Sequence, residues 1–330
     1  MNGKIKVSII GALGYTGMEL LRILSAHQNV EILHIFSRNL AGTRIGDSIL
    51  HLSHWGGNFT TASIEEIVQD SDCVFLALPH GESHEYVRKM LGFTKIIDLS
   101  ADFRLKSQEL HEKYYPDVGF SEDLSQKFTY GFVEKNIEGV KNAIAIANPG
   151  CFAILSQLCL LPLENFAKTV DIFAITGSSG SGKKISNTTH HPIRSHNLFS
   201  YNINKHRHIG EILQSFPKIS LNMIPSSGPF VRGIFANCIV KTQEPAEKCL
   251  EKFNIQYEFI RRVEKVELAN VIGANFCDIS YTILDNNTIL IQGAIDNLVK
   301  GAAGNAVQCM NLMFDFNQNA GLVNINPIYP

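Results

Sequence analysis

The chain has 330 residues, 45% hydrophobic and 18% charged, with a formal net charge of −2. That length exceeds one comfortable hydrophobic core and predicts two domains. The balanced, interspersed charge provides no basic face for nucleic acid and no polybasic segment for a membrane surface, and no stretch reaches the ~20 apolar residues of a membrane span.

Seven cysteines with no CxxC pair and no zinc-finger spacing point to reduced thiols and a cytoplasmic setting. The N-terminal MNGKIKVSIIGALGYTG has a short, glycine-interrupted apolar run followed by Glu19 and Arg22, so it reads as a first strand and not as a secretory leader. In chain order, Ile5 to Ile10 reads as a buried strand, Thr16 to Ala26 as a helix and Val30 to Phe36 as a second strand. Cys73 to Leu78 and Lys95 to Leu99 are further strand-like runs, with a helix from Ser83 to Leu91 between them. This alternation predicts an α/β domain: a doubly wound, mostly parallel sheet of Rossmann type.

Gly11-Ala12-Leu13-Gly14-Tyr15-Thr16-Gly17 joins the first strand to the first helix. Glycines there let the backbone turn tightly and approach a pyrophosphate seated on the helix N-terminus, so Gly11, Leu13, Gly14, Tyr15, Thr16 and Gly17 are candidate dinucleotide contacts. The spacing is GxxGxxG, not the commoner GxGxxG, so the strand–turn–helix context carries the assignment; the alternative is a plain tight turn. An NAD enzyme places Asp or Glu near the end of the second strand. Phe36-Ser37-Arg38-Asn39 has no carboxylate there. Arg38 can pair with a 2′-phosphate and Ser37 can hydrogen-bond it, which favours NADP(H) over NAD.

After an apolar run from Asn142 to Ala147 comes Asn148-Pro149-Gly150-Cys151, and then FAILSQLCLLPLENF from Phe152 to Phe166, which reads as a buried helix. With Asn148 as N-cap and Pro149 at the first helical position, Cys151 falls in the first turn. Orphan N–H groups and the positive end of the dipole favour a thiolate there. The competing reading is a small buried apolar cysteine.

Past Cys151 strand-like runs recur at Val170 to Thr176, Ile234 to Lys241, Phe276 to Ile283 and Thr288 to Ile295, the last two flanking the turn signal Leu284-Asp285-Asn286-Asn287. They predict an α+β second domain with a mostly antiparallel sheet. The expected boundaries are 1–148 for the dinucleotide-binding domain, completed by a C-terminal helix at about 300–330, and 149–299 for a catalytic and dimerisation domain. Gly177-Ser178-Ser179-Gly180-Ser181-Gly182-Lys183 is either a flexible linker or a loop whose N–H groups approach an anion or a nicotinamide, with Ser181 and Gly182 as candidate contacts.

Five of the 12 histidines fall between His190 and His208. Their spacing makes a poor zinc site, and no metal is expected. His206-Arg207-His208-Ile209-Gly210-Glu211 reads as the start of a helix, in which Glu211 orients an imidazole as third member of a Cys–His–Glu relay.

With these pieces in hand, the sequence resembles the N-acyl-γ-glutamyl-phosphate reductases of arginine biosynthesis, relatives of α-aminoadipyl-phosphate reductases and of aspartate-semialdehyde dehydrogenase. The resemblance covers essentially the whole chain: GALGYTG at 11–17, SADFRL at 100–105, ANPGC at 147–151, GSSGSGK at 177–183, KHRHIGE at 205–211, VRGIF at 231–235 and DNLVKGAAGNAVQ at 296–308. It implies an NADPH-dependent reduction of a small-molecule acyl phosphate through a thioester on Cys151, in a homodimer or homotetramer. His208 is then the acid/base, with His206 the less favoured alternative. Arg104 and Arg232 face the substrate's carboxylate or phosphate, Asn148 lies at the substrate, and Asn297 meets the nicotinamide. The sequence departs from the family at Tyr130-Gly131-Phe132-Val133-Glu134 and at Pro225 to Phe230. The rivals are aminoadipyl-phosphate reductase, aspartate-semialdehyde dehydrogenase, a thiol hydrolase or amidotransferase, and a non-catalytic NADP-binding sensor.

Overall fold

The computed structural model describes residues 3–37, 39–251, 256–324 and 326–327, and these divide into two compact units. The first takes in the chain up to Lys106, Asp117–Asn148, and the described residues from Ala303 to 324; the second holds Ser107–Pro116, Pro149–Ala302 and 326–327. Ser107–Pro116 thus belongs with the second unit although it lies well inside the stretch 1–148. It is a polar helix-and-turn segment with no composition shift to mark it.

Among the described residues of the first unit, β1 (Ile5–Ile10), β2 (Val30–Phe36), β3 (Cys73–Leu76), β4 (Lys95–Asp98), β5 (Thr129–Tyr130) and β6 (Ala145–Ala147) form one sheet in the order β2-β1-β3-β4-β6-β5. Every pairing in it is parallel. The strand order reverses between β1 and β3, which makes the carboxyl end of β1 the topological switch point where such sheets bind ligands. β3 is buried at every position, as a strand with both faces covered must be. The helix Gly304–Met313 packs in this unit against the helices Tyr15–Ser25 and Ile137–Lys141 and is buried throughout. Its buried amides are satisfied: Asn305 donates to the Gly131 carbonyl at 2.9 Å, and Asn311 Oδ1 lies 3.0 Å from His27 Nε2.

In the second unit β7 (Ala167–Thr176), β8 (Phe199–Ser200), β9 (Ser220–Ser227), β10 (Ile234–Thr242), β11 (Ile260–Arg262), β12 (Cys277–Asp285) and β13 (Thr288–Ile295) form a sheet in the order β11-β12-β13-β10-β7-β9-β8. The β11–β12 and β7–β9 pairs are parallel and the other four antiparallel. The β12–β13 hairpin turns where the Asp-Asn-Asn signal stands, with the Asn287 N–H donating to the Asp285 carboxylate at 2.9 Å. β9 was not expected, because its sequence SLNMIPSS carries a proline and four serine or asparagine residues; Pro225 sits one strand from the edge, and its carbonyl accepts from the Tyr201 N–H at 3.0 Å. One face of the sheet is covered by the apolar helix Cys151–Leu160, which touches β7, β10, β12 and β13. That helix is shorter than the apolar run suggested. A 3₁₀ turn at Leu161–Leu163 follows, because Pro162 supplies no N–H to continue the ladder.

Candidate active site

The glycine turn of the first unit is built for close approach. Gly11 has φ +90°, and a Cβ on it would lie 2.4 Å from the Ala77 carbonyl oxygen. A Cβ on Gly17 would lie 2.4 Å from the Gly11 oxygen. Gly14 is the N-cap of the helix Tyr15–Ser25, with no side-chain cap and no acidic residue in the first turn. The first-turn N–H groups of Tyr15, Thr16 and Gly17 therefore have no carboxylate competing with an incoming phosphate. Leu13, Tyr15 and Thr16 are half-buried around this turn. Ser37 follows directly on β2, whose last residue pairs with Ile10 and accepts from the Gly11 N–H at 3.5 Å, so it stands beside the turn. Arg38 lies outside the described residues. The turn fits a dinucleotide: Gly14, at the start of the helix, is exposed, and a Cβ on it would meet nothing nearer than the Gly11 oxygen at 3.7 Å.

Two other expected residues belong to this unit. Arg104 is 4% exposed and its Nη2 donates to the Leu99 carbonyl at 2.9 Å. Asn148 is buried just past β6; its N–H donates to the Asp98 carbonyl at 2.8 Å and its Oδ1 accepts from Asn305 at 2.9 Å. Asn148 is not the helix cap. The N-cap is Gly150, with φ −72° and ψ 151°, and Cys151 is the first helical residue. Extended geometry at Gly150 starts the helix two residues later than an Asn148 cap would, which puts Cys151 itself on the orphan N–H groups.

The second unit gathers Cys151 and its neighbours. None of the seven cysteines is in a disulfide, and Cys151 is half-buried where the other six are buried. Burial raises the Cys73 thiol well above the usual value, and a hydrogen bond with Cys238, together with burial, raises that of Cys159, so those two stay protonated. His208 is the N-cap of the helix Ile209–Ser215, and its imidazole occupies the space beside Gly150. A Cβ on Gly150 would lie 2.3 Å from His208 Nε2. A Cβ on Gly301 would likewise lie 2.9 Å from the Cys151 Cβ. These two glycines make room for the His208 ring and the Cys151 side chain. Gly301 sits in a π-helical turn, Val299–Ala303, a form of local distortion frequent at functional sites.

His206 has a different job. Its Nδ1 accepts the His208 N–H at 3.2 Å, and burial, reinforced by Arg207, holds its pKa at about 3. A ring that accepts at Nδ1 and stays neutral is a turn cap, not a proton carrier near neutral pH. Its edge meets His208 at a centroid separation of 4.7 Å, Phe152 at 5.0 Å and Tyr201 at 5.8 Å.

Glu211 is fully buried, and both of its oxygens are engaged outside the HRH segment. Oε1 accepts from Tyr115 Oη at 2.6 Å and Oε2 from the Gly150 N–H at 2.9 Å. The carboxylate thus anchors the turn that carries Cys151, a placement that spacing along HRHIGE does not suggest. Tyr115 is buried and 96 residues away in sequence, so no local pattern marks it.

Arg232 pairs in bidentate fashion with Asp296: Nε to Oδ2 at 3.0 Å and Nη2 to Oδ1 at 3.1 Å. Asp296 is fully buried and also accepts from the Gly273, Leu298 and Val299 N–H groups. Asn297, 2% exposed, accepts from the Gly233 N–H at 2.7 Å and donates to Ser179 Oγ at 3.0 Å. The loop after β7 is therefore clamped: Ser178 and Ser179 N–H groups donate to Phe230 and Val231 carbonyls at 2.9 Å each. Ser181 and Gly182, at the far end of the turn, are exposed. His190, His191 and His196 are exposed.

Among the described residues no helix is long and apolar enough to cross a membrane. The semialdehyde dehydrogenase NAD-binding domain model matches residues 6–143, and the semialdehyde dehydrogenase dimerisation domain model matches 151–297. An N-acetyl-γ-glutamyl-phosphate reductase of Methanosarcina barkeri is 40% identical over 335 residues, covering 96% of this chain and 98% of that protein. A putative LysW-L-2-aminoadipate/LysW-L-glutamate phosphate reductase of Pyrococcus abyssi is 39% identical over 337 residues, covering 99% of each. Among solved structures, aspartate semialdehyde dehydrogenase II of Vibrio cholerae complexed with ASA superposes with a TM-score of 0.71 at 18% identity, over 95% of this chain and 99% of that one. The enzyme of Candida albicans solved with NADP superposes at 0.69 and 14%, over 98% and 100%; both likenesses concern the fold. A dinucleotide-binding turn, a half-buried cysteine on a helix N-terminus and full-length relatives at this identity lead to one conclusion: the chain belongs to the N-acetyl-γ-glutamyl-phosphate reductase family of semialdehyde-dehydrogenase-type oxidoreductases.

Proposed function

We propose that the protein reduces an N-acyl-γ-glutamyl phosphate to the N-acyl-glutamate semialdehyde at the expense of NADPH, through a thioester on Cys151. The observation that carries this reading is Cys151 itself, half-buried at the first position of the helix Cys151–Leu160, with the His208 ring against the preceding residue. The thiolate attacks the acyl carbon, and phosphate leaves with the electrons of the broken C–O bond. The dinucleotide, when bound on the glycine turn, supplies the hydride. His208 holds the proton exchanged with the thiohemiacetal oxygen, and collapse of that adduct returns the thiolate and releases the aldehyde. Tyr115 and Glu211 hold the Gly150 amide, and His206 caps the turn that presents His208. Arg104 is the cation offered by the SADFRL loop to an anionic group of the substrate, with Asn148 beside it in the substrate-contact set. Preference for NADP(H) rests on Phe36-Ser37-Arg38-Asn39, where Arg38 stands in place of the acidic residue that would bind ribose hydroxyls.

The test is phosphate-dependent reduction of NADP+ and of NAD+ with a panel of semialdehydes. N-acetylglutamate semialdehyde should be turned over with NADP+ at the highest kcat/KM. Faster turnover of the N-acyl aminoadipate homologue, of a carrier-linked substrate or of aspartate semialdehyde would reassign the substrate within the family.

The sheet face carrying Phe173 supports self-association. Phe173 is 43% exposed, and the strand register sets it opposite Ile224 on β9 and Asn237 on β10, with the Ile175–Phe235 and Ile239–Leu290 pairs on the same face. We assign this apolar row to a second copy of the chain, forming a homodimer alone or as half of a tetramer. Phe173→Glu should halve the mass measured by sedimentation; an unchanged mass would remove this face from the interface.

A further inference from the structure

The substrate proposed above carries two anionic groups, the phosphoryl at the reacting carbon and the α-carboxylate at the other end. Arg232 is poorly suited to either, because Asp296 already cancels its charge through two parallel hydrogen bonds. Arg194 is the opposite case. It ends the short helix His191–Arg194 and is 6% exposed. Its Nε donates to the Gly228 carbonyl at 3.1 Å and its Nη2 to the Thr176 carbonyl at 3.5 Å. Its guanidinium lies over Phe199 at 5.9 Å. No described carboxylate pairs with it. Burying a cation without a counter-charge is expensive, and a fold keeps such a group most readily where an anion arrives with the ligand.

The position suits that anion. Thr176 is the last residue of β7, and Gly228 directly follows β9, so Arg194 spans the carboxyl ends of two parallel strands next to the clamped loop at Gly177–Ser181. Phe199 begins a segment whose Tyr201 packs on His206, which in turn touches His208 and Phe152, the neighbour of Cys151. Tyr201 senses both ends of this row. Burial raises its pKa first and a negative charge on Cys151 second, while Arg207 and Arg194 oppose the rise.

We propose that Arg194 is the receptor for the α-carboxylate of the substrate, reading the amino-acid end while Cys151 engages the acyl carbon. Its planar fork matches a carboxylate in a way that an ammonium does not. This assignment rests on the reductase reading above.

The experiment compares wild type, Arg194→Gln and Arg194→Lys on N-acetylglutamate semialdehyde and on 4-acetamidobutanal, the same aldehyde without the α-carboxylate. With Arg194→Gln, kcat/KM for the first should fall about tenfold to a hundredfold while that for the second changes less than about threefold, and the KM for inorganic phosphate should hold. Arg194→Lys should fall between, and it decides the matter if the glutamine variant fails to fold. Equal losses on both aldehydes would make Arg194 a structural staple between β7 and β9, and a raised phosphate KM would make it the phosphoryl receptor; either overturns the proposal. Titration with N-acetylnorvaline, an unreactive analogue carrying only the α-carboxylate, separates this from the parent reading. If wild type turns over neither aldehyde the reductase reading fails, yet weaker N-acetylnorvaline binding by Arg194→Gln would still support carboxylate recognition, and unchanged binding would reject it.

Discussion

Cys151→Ala should lower turnover by about 10⁴-fold or more, because removing a covalent nucleophile abolishes the intermediate and leaves only binding and general polarisation. The variant should still bind NADPH, since the glycine turn at Gly11–Gly17 belongs to the other unit. Mass spectrometry after mixing with acyl phosphate should find an acyl adduct on the wild type and none on the variant. Iodoacetamide should label Cys151 ahead of the other six cysteines, all of which are buried. The helix N-terminus favours its thiolate, whereas burial keeps Cys73 protonated and the Cys238 hydrogen bond with burial does the same for Cys159. Near-normal activity in Cys151→Ala would end the thioester mechanism.

His208→Asn should cost about 10²- to 10⁴-fold in kcat, the usual worth of a positioned proton-transfer group. Acylation should survive, because phosphate leaves without much help, so the thioester should accumulate unreduced. Gly150→Ala should reproduce much of this loss, since its Cβ would need the space 2.3 Å from His208 Nε2. His206→Asn should be milder. A ring with a pKa of about 3 carries no proton to give above about pH 5, so the variant's kcat should keep the wild-type pH profile. A lost pH limb in His206→Asn, with a mild effect of His208→Asn, would reverse the two assignments.

Most of the architecture was legible in the chain. Ile5–Ile10, Val30–Phe36 and Thr288–Ile295 have the bounds read from apolar runs, because runs of β-branched and apolar residues bounded by turn residues leave a strong local pattern. The glycine turn and the cysteine at a helix start were equally readable, since both depend on residues within one turn of each other. Local pattern failed where a partner comes from far along the chain. Asn148 looked like a cap by composition, but its side chain is held by Asn305, 157 residues away, and Gly150 caps instead. Spacing marks Glu211 only toward the histidines of its own segment; that its oxygens also accept from Tyr115 and the Gly150 amide shows only in the folded chain. Arg232 and Arg194 are alike as letters. Only the folded chain shows that one is neutralised by Asp296 and the other faces carbonyls alone. Hydrophobic period and turn chemistry are properties of neighbours in sequence, whereas the charge balance and free space around a side chain depend on which distant residues the fold brings beside it.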